Sequence, residues 1–184
     1  TGVWSHQYGR PDNSAFGGET LCGARATGEL EVQWLGHPGP AFQADRNGRK
    51  PSPLAIGGRL FVQGLHRIAA LDAYNGTVLW SRELPLERFN IPRDSSNWCA
   101  DESSLFAAIR DKCWQLDAAS GRLARTYPVL PGPKPDWTWH WGYVASVGDV
   151  IVGSAIKAGS SFTDFWGSNG WYDSWKVPAL NTKV

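Results

Sequence analysis

Apolar residues come in short runs, broken every few positions by glycine, asparagine or aspartate. Between Arg59 and Trp80 this pattern predicts three short strands. Leu60-Phe61-Val62 is the first apolar run, and Gly64-Leu65-His66 breaks it. Arg67 to Leu71 is the second, and Asp72-Ala73-Tyr74-Asn75-Gly76 turns the chain into Thr77-Val78-Leu79-Trp80. Asn-Gly between apolar runs is a strong turn signal, because both residues tolerate positive φ.

The unit recurs. Leu60, Leu105 and Val150 are spaced 45 residues apart, as are Asp72 and Asp117, and Gly76 and Gly121. A fixed period in the forties with about four strands per unit marks a β-propeller. The expected fold is therefore all-β, a partial β-propeller of about three to four four-stranded blades. Glu29 to Trp34 alternates like a strand, and Trp34 precedes Trp80 by 46 residues, so 1–36 reads as the end of an earlier blade closed by that strand. Residues 53–84 and 98–126 read as blades, and 140–184 as an incomplete blade with an aromatic loop. An Asp-x-x-x-Gly turn is due near position 162, but the chain there offers Phe162, Phe165, Trp166, Trp171, Tyr172 and Trp175. Such a segment either covers a blade edge, the favoured reading, or forms an aromatic platform for sugar or peptide. Residues 1–22 have no partner repeat, and 176–184 have no pattern that places them.

Composition narrows the classes. Lys and Arg number 18 against 17 Asp and Glu, so there is no electrostatic reason to expect nucleic acid or an anionic membrane as partner. No apolar run approaches the roughly 18 residues of a membrane span. Eleven Trp, 21 Gly and 12 Pro favour a turn-rich all-β protein. With no Met and no leader pattern, the chain reads as a fragment of a longer protein, whose remaining blades are its first expected partners. Cys22, Cys99 and Cys113 lack metal-ligand spacing. If Cys99 and Cys113 lie on the first and third strands of one unit, their Cα atoms are roughly 9–10 Å apart. A disulfide needs less than about 7 Å, so free, mostly buried thiols are expected.

Ala70-x-Asp72-x-x-Asn75-Gly76-x-x-x-Trp80 resembles the tryptophan-docking repeat of the pyrroloquinoline-quinone (PQQ) propeller superfamily. That superfamily includes quinoprotein alcohol dehydrogenases and the periplasmic propellers of outer-membrane assembly. The second unit matches in part: Asp117, Ser120 and Gly121 fit, while Gln115 and Arg125 stand where the repeat has Ala and Trp. The residues have structural reasons of their own. Asp72 and Asp117 can accept hydrogen bonds from turn amides, and Gly76 and Gly121 allow the positive φ of the hairpin. Trp80 would bury its ring and give its N–H to a carbonyl of the adjacent blade. Arg125 cannot do so, and the second interface should pack differently. The resemblance implies a periplasmic or secreted protein. It admits PQQ with calcium as a cofactor of the whole protein. Within these residues no cofactor or metal is expected, since there is no adjacent Cys-Cys pair and no matching calcium set.

No Gly-rich phosphate loop, Cys-x-x-Cys or His-Glu-x-x-His is present, and no catalytic residue is assigned. His6, His37, His66 and His140 are scattered. Asn75-Gly76-Thr77 fits the glycosylation pattern, but tight-turn chemistry explains it better. In a propeller the connectors between blades gather on one face, here 36–52, 85–97 and 127–140. They nominate Asp45, Arg46, Arg49, Arg93, Asp94, Asp136, Trp137 and His140 as ligand-binding candidates. The alternative is that Arg and Asp pair and simply close the face. For His140, packing among aromatic rings is favoured over ligand contact. The expected function is a non-catalytic scaffold or interaction module with a protein partner. The alternatives are part of a quinoprotein-type oxidoreductase whose catalytic residues lie elsewhere, and a carbohydrate-binding face.

Overall fold

The computed structural model describes residues 3–20, 22–35, 52–63, 67–84, 97–130, 136–157 and 180–183. It is an arc of antiparallel sheets in the β-propeller arrangement. Sheet 1 holds β1 (Leu54–Ile56), β2 (Arg59–Gln63), β3 (Arg67–Asp72) and β4 (Val78–Glu83), in that order. Sheet 2 holds β5 (Trp98–Ala100), β6 (Ser104–Ile109), β7 (Lys112–Asp117) and β8 (Leu123–Pro128), again in order. Sheet 3 holds β9 (Trp139–Val147), β10 (Val150–Lys157) and β11 (Leu180–Lys183), with β10 in the centre. The first strands of the three sheets lie against one another, β1 on β5 and β5 on β9.

Alternation along β6 explains how the sheets stack. All six residues of β6 are buried. Leu105, Ala107 and Ile109 face sheet 1, in a cluster with Phe61, Ile68, Trp80, Trp98 and Leu116. Phe106 and Ala108 face sheet 3, with Cys99, Cys113, Trp141, Val144 and Ile151. Successive side chains of a strand point to opposite faces, so a strand with neighbours on both sides must be apolar throughout.

The turns repeat as closely as the strands. After β3, Asp72 Oδ1 accepts the amides of Tyr74 (2.7 Å) and Asn75 (3.3 Å), and the Gly76 amide donates to the Asp72 carbonyl at 2.8 Å. After β7, Asp117 Oδ1 accepts the Ser120 amide, and the Gly121 amide donates to the Asp117 carbonyl, both at 2.8 Å. The hydrogen bonds from Ser120, side chain first and backbone second, hold the Asp117 carboxyl below its usual range. Both pairings with the following strand carry a register shift, at Ala70/Leu71 and at Gln115/Leu116.

Two segments differ from the sequence-based expectation. Glu29 to Trp34, expected as the closing strand of an earlier unit, forms a 3-10 turn over Thr27–Glu29 and then runs on without a strand partner among the described residues. Its alternation is real, but a strand also needs a neighbour to hydrogen-bond. Conversely, Leu180–Lys183, which no pattern placed, pairs with β10 from Val152↔Lys183 to Ala155↔Leu180. The aromatic segment 162–175 and the turn at 64–66, including His66, lie outside the described residues.

The N-terminal segment crosses the first strands. Trp4 and Ala55 exchange both backbone hydrogen bonds (2.7 and 2.8 Å), tying it to β1. The next carbonyl, of Ser5, accepts the Ala100 amide of β5 at 2.9 Å. The next side chain, His6, takes the Ser146 amide of β9 on Nε2 at 3.2 Å. Three consecutive residues thus hold three consecutive sheets.

Candidate functional site

Each sheet has two ends. At one, the chain passes between sheets, from β4 to β5 and from β8 to β9; this is the connector end. At the other lie the tight turns after β1, β3, β5, β7 and β9.

Of the eight residues nominated from the connectors, Asp45, Arg46, Arg49, Arg93 and Asp94 lie outside the described residues. Asp136, Trp137 and His140 are described. Asp136 is exposed and Trp137 half-buried, with its ring 5.5 Å from that of Trp139, itself buried at the start of β9. His140 is half-buried and pairs across the sheet with Ile156. The β6–β7 turn, Arg110-Asp111, reaches the same place. The Arg110 carbonyl accepts the Trp141 amide, and the Asp111 carbonyl accepts the Val129 amide, both at 2.7 Å. Burial lowers the His140 pKa; the charge of Asp111 raises it and that of Arg110 lowers it further. His140 is therefore neutral at pH 7, with one ring nitrogen to donate and one to accept. Arg110 and Asp111 are not among the residues nominated from the sequence. Nothing in the sequence said that this turn packs against β9, because that contact joins two different repeats.

A second connector-end feature went unseen in the sequence. Gln63, the last residue of β2, and Asn97, just before β5, are both buried, and their side chains meet at 3.5 Å in the seam between sheets 1 and 2.

The opposite end holds a buried Ser5–His6 pair, with Ser5 Oγ 2.8 Å from His6 Nδ1. This resembles a nucleophile and its base, but the bonding contradicts that role. Nε2 accepts the Ser146 amide, so in the neutral ring the proton is on Nδ1, and Nδ1 donates to Ser5. A histidine that donates to a serine cannot take its proton. Burial also lowers the His6 pKa. The pair is a structural tie. The Ser146 amide lies against the Cys99 thiol as well, and burial, the largest influence, holds that thiol well above its usual range.

Among the described residues, no group of three or more His, Cys, Asp or Glu side chains could hold a metal ion. The described residues do not by themselves offer the donor set of a calcium–quinone site. No helix of the described residues is long and apolar enough to cross a membrane.

No family model and no curated protein matches the chain. Solved structures do. A europium-containing methanol dehydrogenase aligns at TM-score 0.60 and 15% identity, over 85% of this chain and 28% of that one. The quinohemoprotein alcohol dehydrogenase ADHIIG from Pseudomonas putida HK5 aligns at TM-score 0.58 and 14% identity, over 84% of this chain and 24% of that one. BamB from Moraxella catarrhalis aligns at TM-score 0.41 and 16% identity, over 56% of this chain and 35% of that one. The two dehydrogenase alignments show the fold alone, a β-propeller. The chain spans about a quarter of the length of those two enzymes.

Proposed function

We propose that this chain is a rigid arc of a larger PQQ-like propeller, and that its connector end is a recognition face that works by binding, not catalysis. The observation that carries this reading is the grouping of Arg110, Asp111, His140 and Trp137 at one end of sheets 2 and 3. They stand on or beside strands locked by burial, so the face is pre-organised. It offers a cation, an anion, a neutral imidazole and an indole together, and Arg and Trp are among the side chains enriched at protein interfaces. The Ser5–His6 side-chain contact has the wrong proton arrangement for nucleophilic chemistry. The extracytoplasmic setting implied by the repeat motif goes with this reading, as does a protein partner.

A photo-crosslinking amino acid at position 137, compared with one at position 149 at the opposite end, tests the proposal in the full-length parent. Adducts to a discrete protein at 137 and none at 149 support it. Equal labelling at both positions overturns it.

A second reading is favoured by the fold likeness to two dehydrogenases. Here the chain supplies part of the frame of a quinoprotein-type oxidoreductase whose reacting groups lie elsewhere in the parent. Titrating the parent with PQQ and calcium separates the two: saturable binding with a raised melting temperature supports the oxidoreductase. The segment 162–175, on which a carbohydrate-binding face would be built, lies outside the described residues.

A further inference from the structure

We infer that the Gln63–Asn97 seam is a binding site for one hydroxyl group, of a water molecule or of a small polyol, held between sheets 1 and 2.

The argument begins with an imbalance. Asn97 Nδ2 donates to Gln63 Oε1 at 3.5 Å, the long limit of a hydrogen bond. Gln63 Nε2 and Asn97 Oδ1 are buried without a partner. Gln63 is 5% exposed and Asn97 3%. Leaving such atoms unpaired costs about 1–3 kcal/mol each, so native interiors rarely leave them so. Turning both amides over does not cure the defect. Gln63 Nε2 would then donate to Asn97 Oδ1, and Oε1 and Nδ2 would be the orphans. In either orientation the seam lacks one acceptor and one donor.

A hydroxyl is the smallest group that is both. Its oxygen accepts from the orphan N–H, its hydrogen goes to the orphan carbonyl oxygen, and the long direct contact becomes a bridged one. The backbone keeps the pair in place, because the Asn97 carbonyl accepts the Ala108 amide of β6 at 2.8 Å. Phe61 of β2 and Trp98 of β5, each within two residues of the pair, are fully buried in the apolar core. A charged or purely accepting ligand would leave one orphan unpaired. The inference does not rest on the proposed recognition face.

The test is nuclear magnetic resonance of the side-chain amides in the chain labelled with nitrogen-15. Cross-relaxation from the Gln63 and Asn97 amide protons to a long-lived water supports the site, with water as occupant. A saturable shift of the same signals on adding ethylene glycol supports it with a polyol as occupant. Neither response overturns it. Unfolding gives an independent check. Asn97→Leu should lower the urea midpoint, because Gln63 keeps its unpaired groups, and Gln63→Leu added to it should recover most of the loss. A double variant that loses the sum of the two single losses counts against the site.

Discussion

The indole of Trp80 occupies the space that a side chain on Gly121 would need: a Cβ there would lie 2.5 Å from the ring. The same indole donates from Nε1 to the Ala118 carbonyl at 2.9 Å. Trp34 stands in this relation to Gly76 (2.5 Å) and to the Ala73 carbonyl (3.1 Å), one repeat earlier. Each turn thus serves twice: its glycine shapes the hairpin, and its bare face receives the tryptophan of the preceding unit.

Gly121→Ala should therefore be much worse than alanine at an ordinary positive-φ glycine. Gly121 has φ +68°, and Gly148 has φ +57° with open space around it. Gly148→Ala meets only the backbone penalty, about 1 kcal/mol. Gly121→Ala adds displacement of a packed ring, for a total of about 3 kcal/mol. Urea unfolding of both variants measures the difference, and equal midpoints would mean that the ring gives way without cost.

Replacing the indoles by phenyl rings separates the hydrogen bond from the packing. Trp80 is buried, so Trp80→Phe strands the Ala118 carbonyl and should cost about 2 kcal/mol. Trp34 is only part-buried and its carbonyl partner can turn to water, so Trp34→Phe should cost less than about 1 kcal/mol. The same unfolding experiment checks the order. If Trp34→Phe costs as much as Trp80→Phe, then the Trp34 ring is more enclosed than it is here.

What was legible in the sequence follows from what repeats. Strands β2 to β8 are short-range objects, set by alternation and by Asp-x-x-x-Gly turns, and the 45-residue spacing of Asp72 and Asp117 shows their equivalence. Contacts between unlike parts leave no such trace. The path of Trp4, Ser5 and His6 across three sheets rests on two backbone pairings and one imidazole, and the pairing of β11 with β10 joins segments with no shared pattern. The sheet 2–sheet 3 contact shows the limit best. Arg125, at the tryptophan position of the repeat, lies 4.9 Å over the Tyr127 ring. The indole donor comes instead from Trp141, which gives its N–H to the Tyr127 carbonyl at 3.0 Å. A Cβ on Gly153, on the neighbouring strand of the same sheet, would meet that ring at 2.0 Å, so here the tryptophan–glycine contact lies within a sheet and only the indole N–H crosses to sheet 2. Of the proposed recognition face, Trp137 and His140 could be nominated because loops between repeats are nameable, whereas Arg110 and Asp111 needed the fold.

Thiol chemistry should divide the three cysteines sharply. Cys22 is exposed, while Cys99 and Cys113 are fully buried and unpaired on β5 and β7. Burial pushes the Cys113 thiol up to about 12 and the Cys99 thiol well above its usual range. The thiolate is the reactive form. Iodoacetamide at pH 8 should alkylate Cys22 within minutes and leave the other two intact until urea is added, as read by peptide mass spectrometry. Early labelling of Cys99 would show that the clasp by residues 4–6 opens readily.

That clasp should also give the fold an acid-sensitive point. Burial depresses the His6 pKa below its usual 6.5, and nothing charged offsets it. Above about pH 6.5 neither the native nor the unfolded chain holds the proton, and the full stability is present. As the pH falls below that value the unfolded chain takes up a proton that the native His6 refuses. Stability must then fall until the native pKa is reached. His140 is depressed in the same direction and adds to the slope, whereas the lowered Asp12 and Asp117 carboxyls titrate at more acid pH. His6→Gln keeps an acceptor for the Ser146 amide but cannot titrate. Urea midpoints from pH 7.5 to 5 should decline in both proteins, with a shallower decline in His6→Gln. Identical slopes would mean that His6 takes up its proton as readily in the native chain as in the unfolded one, and that the tie between the first residues and β9 is looser than the 3.2 Å contact implies.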